Sequence, residues 1–233
     1  MIDLHCHLLP YVDDGAHDLD EAKALLAVEA EQGVKQICLT PHLREGMFET
    51  PDEAIRRQYG RLLPTAEALG LKLSLSREYH YDRLFLEHLK EGRILPIGER
   101  TVLTEFSAMH SGEQMLSAVE KIRAFGYTPL IAHAERYPAT DIGLAKELRA
   151  RGALLQVNAD AALGEDGRFF KRLAWALIKE GLADAIASDA HSREERPPRL
   201  RECRQRLAKK LGEEQAERLL EKNPLRIIQG KER

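Results

Sequence analysis

The sequence predicts an α/β fold in which seven parallel strands form a closed or nearly closed barrel. Apolar segments of strand length alternate with helical segments along the whole chain, and such alternation implies parallel strands joined by right-handed crossovers. Histidines and carboxylates recur where the predicted strands end. Functional groups collect at the carboxyl ends of the strands in a barrel, whereas an open sheet concentrates them at one switch point. The recurrence therefore favours a barrel.

Each predicted strand is a short apolar stretch, and the seven strands span residues 2–8, 36–40, 71–79, 101–105, 129–133, 153–157 and 183–188. The predicted helices span residues 18–33, 52–69, 83–91, 112–125, 142–151, 168–180, 200–211 and 214–222. The first helix has clear end signals, because Asp18 can cap it, Glu21 follows three residues later and Gly33 stops it. No linker, repeat or low-complexity segment divides the sequence, so we expect a single domain over residues 1–233.

Composition limits the classes of function. A hydrophobic content of 43% supports a sizeable core, and a net charge of −3 argues against nucleic-acid binding. The first residues lack the basic and apolar regions of a signal peptide, and no apolar run reaches the ~18 residues of a membrane span. Three cysteines do not suggest a disulfide framework. We therefore expect a cytoplasmic protein without a membrane span.

Two histidine or carboxylate pairs have the spacing of a metal clamp. His5 and His7 lie two residues apart on the first strand, so both side chains point to one face. Asp189 and His191 repeat this spacing at the end of the last strand. Asp189 follows small and apolar residues, where a lone carboxylate is costly to bury without a partner. Both pairs therefore predict metal ligation rather than ordinary polar residues.

Further candidates end the strands between these pairs. His42 follows Pro41 just after the second strand, Glu78 and Glu105 end the third and fourth, and His133 ends the fifth. A carboxylate can bridge two cations and offset their repulsion, which neutral imidazole cannot do. The remaining histidines, at positions 17, 80, 88 and 110, do not end strands in this way, although position 80 is close enough to Glu78 to support it.

The combined motifs resemble the polymerase and histidinol phosphatase (PHP) superfamily, most closely its bacterial manganese-dependent tyrosine-phosphatase branch of capsule and exopolysaccharide control. The matching segments span almost the whole chain: residues 1–10, 13–16, 40–42, 78–79, 131–137, 156–158, 187–191 and 196–199. The resemblance implies a distorted (β/α)7 barrel of TIM-like type and a metal centre of two or three divalent ions. It favours Mn²⁺, with Fe or Zn²⁺ as alternatives.

The resemblance also implies how the ligands divide among the ions. One ion would be held by His5, His7, Glu78 and Asp189. A second would share Glu78 and add Glu105 and His133. A third would use Asp14, His42 and His191, although the sequence leaves open whether Asp13 or Asp14 is the ligand.

This ligand chemistry indicates hydrolysis of phosphomonoesters. Mixed histidine and carboxylate ligands suit Mn²⁺, Fe or Zn²⁺, and bridging metals lower the pKa of bound water towards neutrality. The predicted catalytic residues are Arg136 and Arg196, which could clamp the phosphate, and Asp189, which could protonate the leaving group as an alternative to metal-bound water. Arg77, beside Glu78, is unexpectedly large and could alter the charge of the pocket.

We expect a protein-tyrosine phosphatase whose partner could be a bacterial tyrosine kinase and whose oligomeric state is open. The alternatives are a small-molecule phosphatase of the histidinol-phosphate or nucleotide type, a PHP-type nuclease, and a non-enzymatic metal-binding module. One further motif competes for the mechanism, since Cys38 and Arg44 have the Cys-x5-Arg spacing of cysteine-dependent phosphatases. Pro41 removes a backbone donor from that loop, which argues against a thiol mechanism.

Overall fold

The structure, a computed structural model, describes residues 1–231, so the last two residues of the predicted domain lie outside the described residues. Nine short strands follow one another: β1 Ile2–Cys6, β2 Gln36–Leu39, β3 His42–Leu43, β4 Lys72–Leu75, β5 Glu78–His80, β6 Thr101–Glu105, β7 Thr128–Ile131, β8 Leu154–Asn158 and β9 Ala185–Ala187. All pair in parallel, in the orders β1-β2-β4 and β3-β5-β6-β7-β8-β9.

Seven strand positions result, as predicted, because β2 with β3 and β4 with β5 are two strands that each break once. The second strand breaks at Thr40-Pro41, where proline has no N–H for a sheet hydrogen bond. The third breaks at Ser76-Arg77, where the Arg77 side chain bonds to a neighbouring loop and helix instead. These two breaks divide the hydrogen-bonded strands into the two groups given above.

The first and last strands meet and complete the curl. Cys6 forms a parallel bridge with Ala190, the His7 N–H donates to the Ala190 carbonyl at 2.8 Å, and the Asp189 N–H donates to the His5 carbonyl at 2.8 Å. The α/β fold with a curled, distorted barrel is therefore confirmed. The carboxyl ends of β1 and β9 are tied together where both carry candidate ligands.

Ten helices surround the strands in the described chain: α1 Leu19–Glu31, α2 Asp52–Ala68, α3 Arg83–Glu91, α4 Gly112–Ala124, α5 Ile142–Ala150, α6 Ala159–Leu163, α7 Arg168–Lys179, α8 Leu200–Leu211, α9 Glu213–Glu217 and α10 Asn223–Ile228. Asp18 caps α1 as predicted, accepting from the Glu21 N–H at 2.8 Å. The prediction missed α6 and α10, and it ended the last helix at Lys222, where a π-turn over Arg218–Lys222 leads directly into α10.

The core fills the spaces between the strands and the helices. Its largest cluster joins β1, β2, β7 and β8 to helices on both sides and includes Leu25, Ile37, Val119 and Leu177. Within residues 1–231, no helix combines the length and apolar character needed to cross a membrane.

Candidate metal centre

All nine candidate ligands converge at the carboxyl end of the barrel. Eight of them fall into three groups whose donor atoms lie within 4.8 Å of one another: His7 with Asp14, His42 and His191; His5 with His7 and Asp189; and His42 with Glu78 and Glu105. The ninth, His133, joins through Nε2, which lies 3.0 Å from Glu78 Oε1 and 3.8 Å from Glu105 Oε1. These groups differ from the division of ligands among ions that the resemblance implies, because His7 and His42 each belong to two groups.

Glu78 lies at the middle of the cluster. Its Oε2 is 3.3 Å from Nε2 of both His5 and His7 and 2.9 Å from His42 Nδ1. Burial raises the pKa of this carboxyl, but the positive charges of His5 and His42 outweigh burial and hold it well below its usual value. Glu78 is therefore an anion in a pocket that excludes water, which is the charge state that a bridging ligand needs.

The pKa values of three histidines in the cluster are also shifted. Burial lowers the pKa of His5, but Glu78 and Asp189 more than reverse this and raise it to about 9. Burial also lowers the pKa of His42, but the negative charge of Glu78 outweighs burial and raises this pKa to about 10. His191 differs, because burial and the charge of His7 lower its pKa to about 2. The central carboxylates thus favour the protonated forms of His5 and His42.

Four of the five histidines are oriented through Nδ1, so that Nε2 faces the centre. Gln156 Oε1 lies 3.0 Å from Nδ1 of His5, and Asp13 Oδ2 lies 2.8 Å from Nδ1 of His7. The remaining two use Tyr137 Oη for His133, at 3.2 Å, and the Asp189 carbonyl for His191, at 2.9 Å. Such partners fix the ring orientation of metal-binding histidines.

Asp189 connects the histidine cluster to the two predicted arginines. Its Oδ1 lies 3.3 Å from His5 Nε2. Its Oδ2 accepts from Arg196 at 2.5 Å, from Asn158 at 2.7 Å and from Arg136 at 3.1 Å. One oxygen thus faces the candidate ligands and the other faces the guanidinium groups, which places both arginines at the edge of the cluster.

Backbone strain marks the same strand ends. Asp189 has φ 53° and His133 has φ 31°, a left-handed conformation that is uncommon for residues other than glycine. Such strain persists only where the surroundings enforce it, and it clusters at functional sites. Here hydrogen bonds enforce it, since Asp189 N donates to the His5 carbonyl and His133 N donates to Gln156 Oε1 at 2.8 Å.

The structure separates the roles of the two neighbouring aspartates. Asp13 is buried against His7 and also accepts from the His42 N–H at 3.0 Å. Burial raises the pKa of Asp13, but the charge of His7 outweighs burial and lowers it to about 2. Asp14 is half exposed, with Oδ1 3.5 Å from His42 Nε2 and 3.6 Å from His191 Nε2. Asp14 therefore faces the candidate ligands, while Asp13 positions His7.

Arg77 does not reach the pocket, contrary to the expectation that it could alter the pocket's charge. Its guanidinium is buried and pairs with Asp52, and it donates to the backbone carbonyls of Thr50 and His42. Its bonds to Asp52 and Thr50 direct the Arg77 side chain towards α2 and the loop before it. Arg77 thus anchors the loop before α2.

Of the other histidines, His80 differs from the expectation, because it is buried and ends β5. His80 supports Glu105 rather than Glu78, since its Nδ1 lies 2.9 Å from Glu105 Oε2. His88 lies on α3, where its Nδ1 is 3.2 Å from the Arg93 carbonyl. His88 is therefore a bystander to the cluster.

Cys38 is unsuited to be a nucleophile. It lies inside β2 with 1% of its surface exposed, and burial raises the pKa of its thiol to about 12. A reactive cysteine needs an accessible thiolate of low pKa. The geometry therefore argues against the Cys-x5-Arg mechanism.

Gln156, Asn158 and Tyr137 lie in segments that match the family, but the sequence predicts no role for them. Gln156 Nε2 donates to Asn158 Oδ1 at 2.7 Å, so a chain of hydrogen bonds runs from His5 through Gln156 and Asn158 to Asp189. The two residues lie two apart on β8, and this same-face spacing was the available signal.

The residues present fit a group of cations. Glu78 Oε2, His42 Nδ1 and His191 Nε2 are buried without a well-aligned hydrogen-bond partner. His5 Nε2 and His7 Nε2 face each other at 3.1 Å, an arrangement that suits two lone pairs directed at one cation. Buried polar atoms normally have partners, so these atoms indicate ligands. Nitrogen and carboxylate donors in this mixture suit Mn²⁺, Fe or Zn²⁺.

Comparison with known proteins places this cluster in a family. The sequence profile described as capsular polysaccharide synthesis, CpsB/CapC, matches residues 1–229. The tyrosine-protein phosphatase CpsB of Streptococcus pneumoniae is 35% identical over 98% of each chain. A solved structure from the pair YwqE of Bacillus subtilis and CpsB of Streptococcus pneumoniae, metal-dependent tyrosine phosphatases, superposes with a TM-score of 0.88. It is 27% identical and covers 100% of this chain and 96% of that one.

A more distant likeness shows the fold alone. Histidinol phosphate phosphatase of Lactococcus lactis, complexed with zinc, histidinol and phosphate, superposes with a TM-score of 0.57 at 14% identity. The match covers 82% of this chain and 85% of that one. The expected resemblance to the tyrosine-phosphatase branch is confirmed by the family match and by the CpsB and YwqE relatives, not by this distant likeness.

Proposed function

The chain belongs to the CpsB/CapC family of capsular polysaccharide synthesis, and we propose that it is a metal-dependent phosphatase that hydrolyses phosphotyrosine on proteins. The observation that carries this proposal is the convergence of nine candidate ligands with Arg136 and Arg196 at one end of the barrel. The tyrosine-protein phosphatase CpsB of Streptococcus pneumoniae, 35% identical over 98% of this chain, supports the same reaction.

The proposed metal ligands are the nine converging residues: His5, His7, Asp14, His42, Glu78, Glu105, His133, Asp189 and His191. Bound as two or three ions, with Mn²⁺ favoured, the metals would supply Lewis-acid charge for the phosphoryl oxygens and an activated water. Glu78 and Asp189 would offset the positive charge of the ions. Gln156 and Asp13 would keep the imidazoles of His5 and His7 aimed at the centre.

Arg136 and Arg196 are the proposed phosphate clamp. Their side chains are 28% and 34% exposed, whereas Asp189, to which both are bonded, is 3% exposed. An incoming phosphate would therefore meet the guanidinium groups before the buried ligands. Guanidinium forks match phosphate oxygens in geometry and stay charged, so they can bind the dianion and stabilise charge that builds up during transfer.

We propose that Asp189 orients the two arginines of the clamp and takes part in protonating the leaving tyrosine. Burial raises its pKa, but the positive charges of His5 and Arg196 outweigh burial and hold it well below its usual value. Asp189 is therefore ionised in the resting protein. As an anion it orients both arginines, and the proton for the leaving tyrosine would come from the attacking water, either directly or through Asp189.

The approach to the centre suits a substrate carried on a protein. A cleft of about 930 Å³ opens beside the cluster and is lined by Asp14, His191 and Arg196 together with residues of the loop before α1. An open cleft admits a side chain that projects from a peptide. We propose phosphotyrosine proteins as partners, with a bacterial tyrosine kinase as the enzyme that makes them. The cytoplasmic location stays a prediction.

A direct test compares substrates on one protein sample. The purified chain is assayed with a phosphotyrosine peptide and with histidinol phosphate, each before and after chelator treatment and after Mn²⁺ is added back. We expect preferential turnover of the peptide, loss with chelator and recovery with Mn²⁺. Preference for histidinol phosphate would make it a small-molecule phosphatase, and activity that resists the chelator would contradict a metal mechanism.

A further inference from the structure

We propose that Asp3 and Ser188 are positioning residues, which hold Asp189 in its left-handed conformation and so aim its two carboxylate oxygens. The proposal rests on the role proposed above for Asp189, as a metal ligand and as the partner of the arginine clamp. Asp3 and Ser188 are buried, with 0% and 4% of their surfaces exposed, and neither belongs to the groups of candidate ligands. They would therefore act on the metal centre through the residues that they hold.

Asp189 needs to be held because its backbone is strained. Its φ of 53° is uncommon for a residue that carries a Cβ, and such a conformation persists only where the surroundings enforce it. β9 ends at Ala187, and the chain bridges to β1 at Ala190. Asp189 thus lies between two fixed points, and a change in the backbone between them would redirect its side chain.

Ser188 ties the backbone on both sides of Asp189. Its Oγ accepts from the Ala190 N–H at 3.1 Å and donates to Asp3 Oδ2 at 2.5 Å. Its own N–H donates to Asp3 Oδ1 at 3.0 Å. The N–H groups just before and just after that of Asp189 therefore both end on this pair of side chains, which fixes the backbone from which the Asp189 side chain starts.

The carboxylate of Asp3 also reaches the backbone of His5. Its Oδ1 accepts from the His5 N–H at 3.4 Å, and the His5 carbonyl accepts from the Asp189 N–H at 2.8 Å. Asp3 thus sets the position of His5 relative to Asp189, whose Oδ1 lies 3.3 Å from His5 Nε2. A shift between the two strand ends would separate two candidate ligands of one group.

A carboxyl group at position 3 is costly for folding. Burying such a group without a cationic partner is unfavourable, and within residues 1–231 no lysine or arginine pairs with Asp3. Glu29 of α1 is buried beside it, where burial and the charge of Asp3 raise the pKa of Glu29 well above its usual value. Features that cost stability are expected at functional sites. The cost has a reason if the oxygens of Asp3 are needed to hold the turn at Asp189.

The test is calorimetric titration of the full-length, chelator-treated protein with Mn²⁺, arranged as a double-mutant cycle. Ser188→Ala removes the hydroxyl and should weaken Mn²⁺ binding by about 10- to 100-fold, as the loss of outer partners of metal ligands does. Asp189→Asn should weaken binding at least as much. In the Asp189→Asn background, Ser188→Ala should add less than about twofold, because a residue that acts through Asp189 has nothing left to position there.

Two control variants show that the cycle measures positioning. Ser76 is also buried, and its Oγ donates to the Leu95 carbonyl at 2.8 Å. Ser76→Ala should therefore lower the unfolding midpoint about as much as Ser188→Ala while leaving Mn²⁺ binding within about twofold. Glu105→Gln, in a different group of candidate ligands, should still weaken binding in the Asp189→Asn background, which shows that a further loss there is measurable.

Asp3→Asn guards against misfolding of Ser188→Ala, because it keeps the shape of the side chain. It replaces one of the two acceptor oxygens with a donor, so the Ser188 hydroxyl loses its partner or must turn. This variant too should weaken Mn²⁺ binding in the wild-type background and add little in the Asp189→Asn background.

Four results would overturn the proposal. They are unchanged Mn²⁺ binding in both Ser188→Ala and Asp3→Asn, losses of the same size in both backgrounds, an equal loss in Ser76→Ala, and absence of Mn²⁺ binding by the wild type. The last result would overturn the metal centre as well. Turnover of histidinol phosphate in preference to the phosphotyrosine peptide would overturn the proposed substrate alone, and a loss confined to the wild-type background would then still support the positioning role.

Discussion

The carboxyl end of the barrel gathers histidines and carboxylates at strand ends, whereas the amino end gathers arginines from helices and loops. At the carboxyl end, side chains such as His5 and Asp189 point along strands that meet at one place. At the amino end, residues such as Arg123 and Arg226 come from separate helices and line the same cavity only because the chain folds back. The strand-end ligands therefore recur with a recognisable spacing in the sequence, whereas the arginines of the amino end do not.

The largest expected effect comes from removing charge at the carboxyl end without changing shape. Glu78→Gln and Asp189→Asn should each lower turnover of a phosphotyrosine peptide by more than about 100-fold, because even outer partners of metal ligands cost about 10- to 100-fold. Metal occupancy should fall with turnover. His88→Ala, on α3 outside the cluster, should retain activity. Equal losses in all three variants would show that Glu78 and Asp189 are no more important to the site than His88.

A smaller effect should come from the arginines at the edge of the cluster. Arg136→Ala and Arg196→Ala should lower turnover by roughly 30- to 1000-fold, which corresponds to about 2–4 kcal/mol of transition-state stabilisation. Metal content, measured on the same samples, should not change, since a guanidinium does not ligate cations. Unchanged turnover in both variants would mean that the metals alone bind the phosphate.

Gly15 tests how tightly the loop after β1 holds the cluster. A Cβ at this position would lie 1.9 Å from the His7 carbonyl oxygen, so Gly15→Ala must displace the backbone of a candidate ligand. We expect turnover to fall by about tenfold or more and stability by about 1–3 kcal/mol. Gly60→Ala on α2, where a Cβ meets nothing within 4 Å, should stabilise the fold by about 0.5–1 kcal/mol. If Gly15→Ala and Gly60→Ala changed the unfolding midpoint and the turnover equally, the close contact at Gly15 could not be the cause.

The smallest effect is expected at the buried thiol. Cys38→Ser should leave phosphotyrosine turnover within about twofold, because an inaccessible thiol whose pKa is about 12 cannot serve as nucleophile. The variant is assayed with and without chelator. Loss of activity in the variant together with resistance of the wild type to chelator would assign catalysis to the thiol.

Most of the fold was predictable because apolar segments of strand length alternate with helical segments in the sequence. Most members of the cluster were predictable because they recur where the predicted strands end. The bounds of α3, β6 and α8 agree with prediction to the residue, since capping residues and apolar runs define their ends locally. The breaks at Pro41 and at Arg77 were missed. Arg77 finds its partners in a loop and helix 25 or more residues away, a tertiary contact that no local pattern records.

The detailed geometry of the site was less predictable than its members. Sequence spacing brought Asp189 to the cluster but could not reveal that one oxygen faces His5 while the other faces Arg136 and Arg196. The positioning role of Asn158 likewise depends on β8 and β9 being neighbours. Roles of this kind follow from packing between distant segments, so they require the structure.

The measurement that tests the central claim most directly is the metal content of the full-length protein prepared without chelators. Elemental analysis should find two to three transition-metal ions per chain, fewer in Glu78→Gln, and the wild-type number in His88→Ala. Turnover of the phosphotyrosine peptide should follow metal content across these samples. Less than about one ion per chain in active wild-type protein would contradict the account.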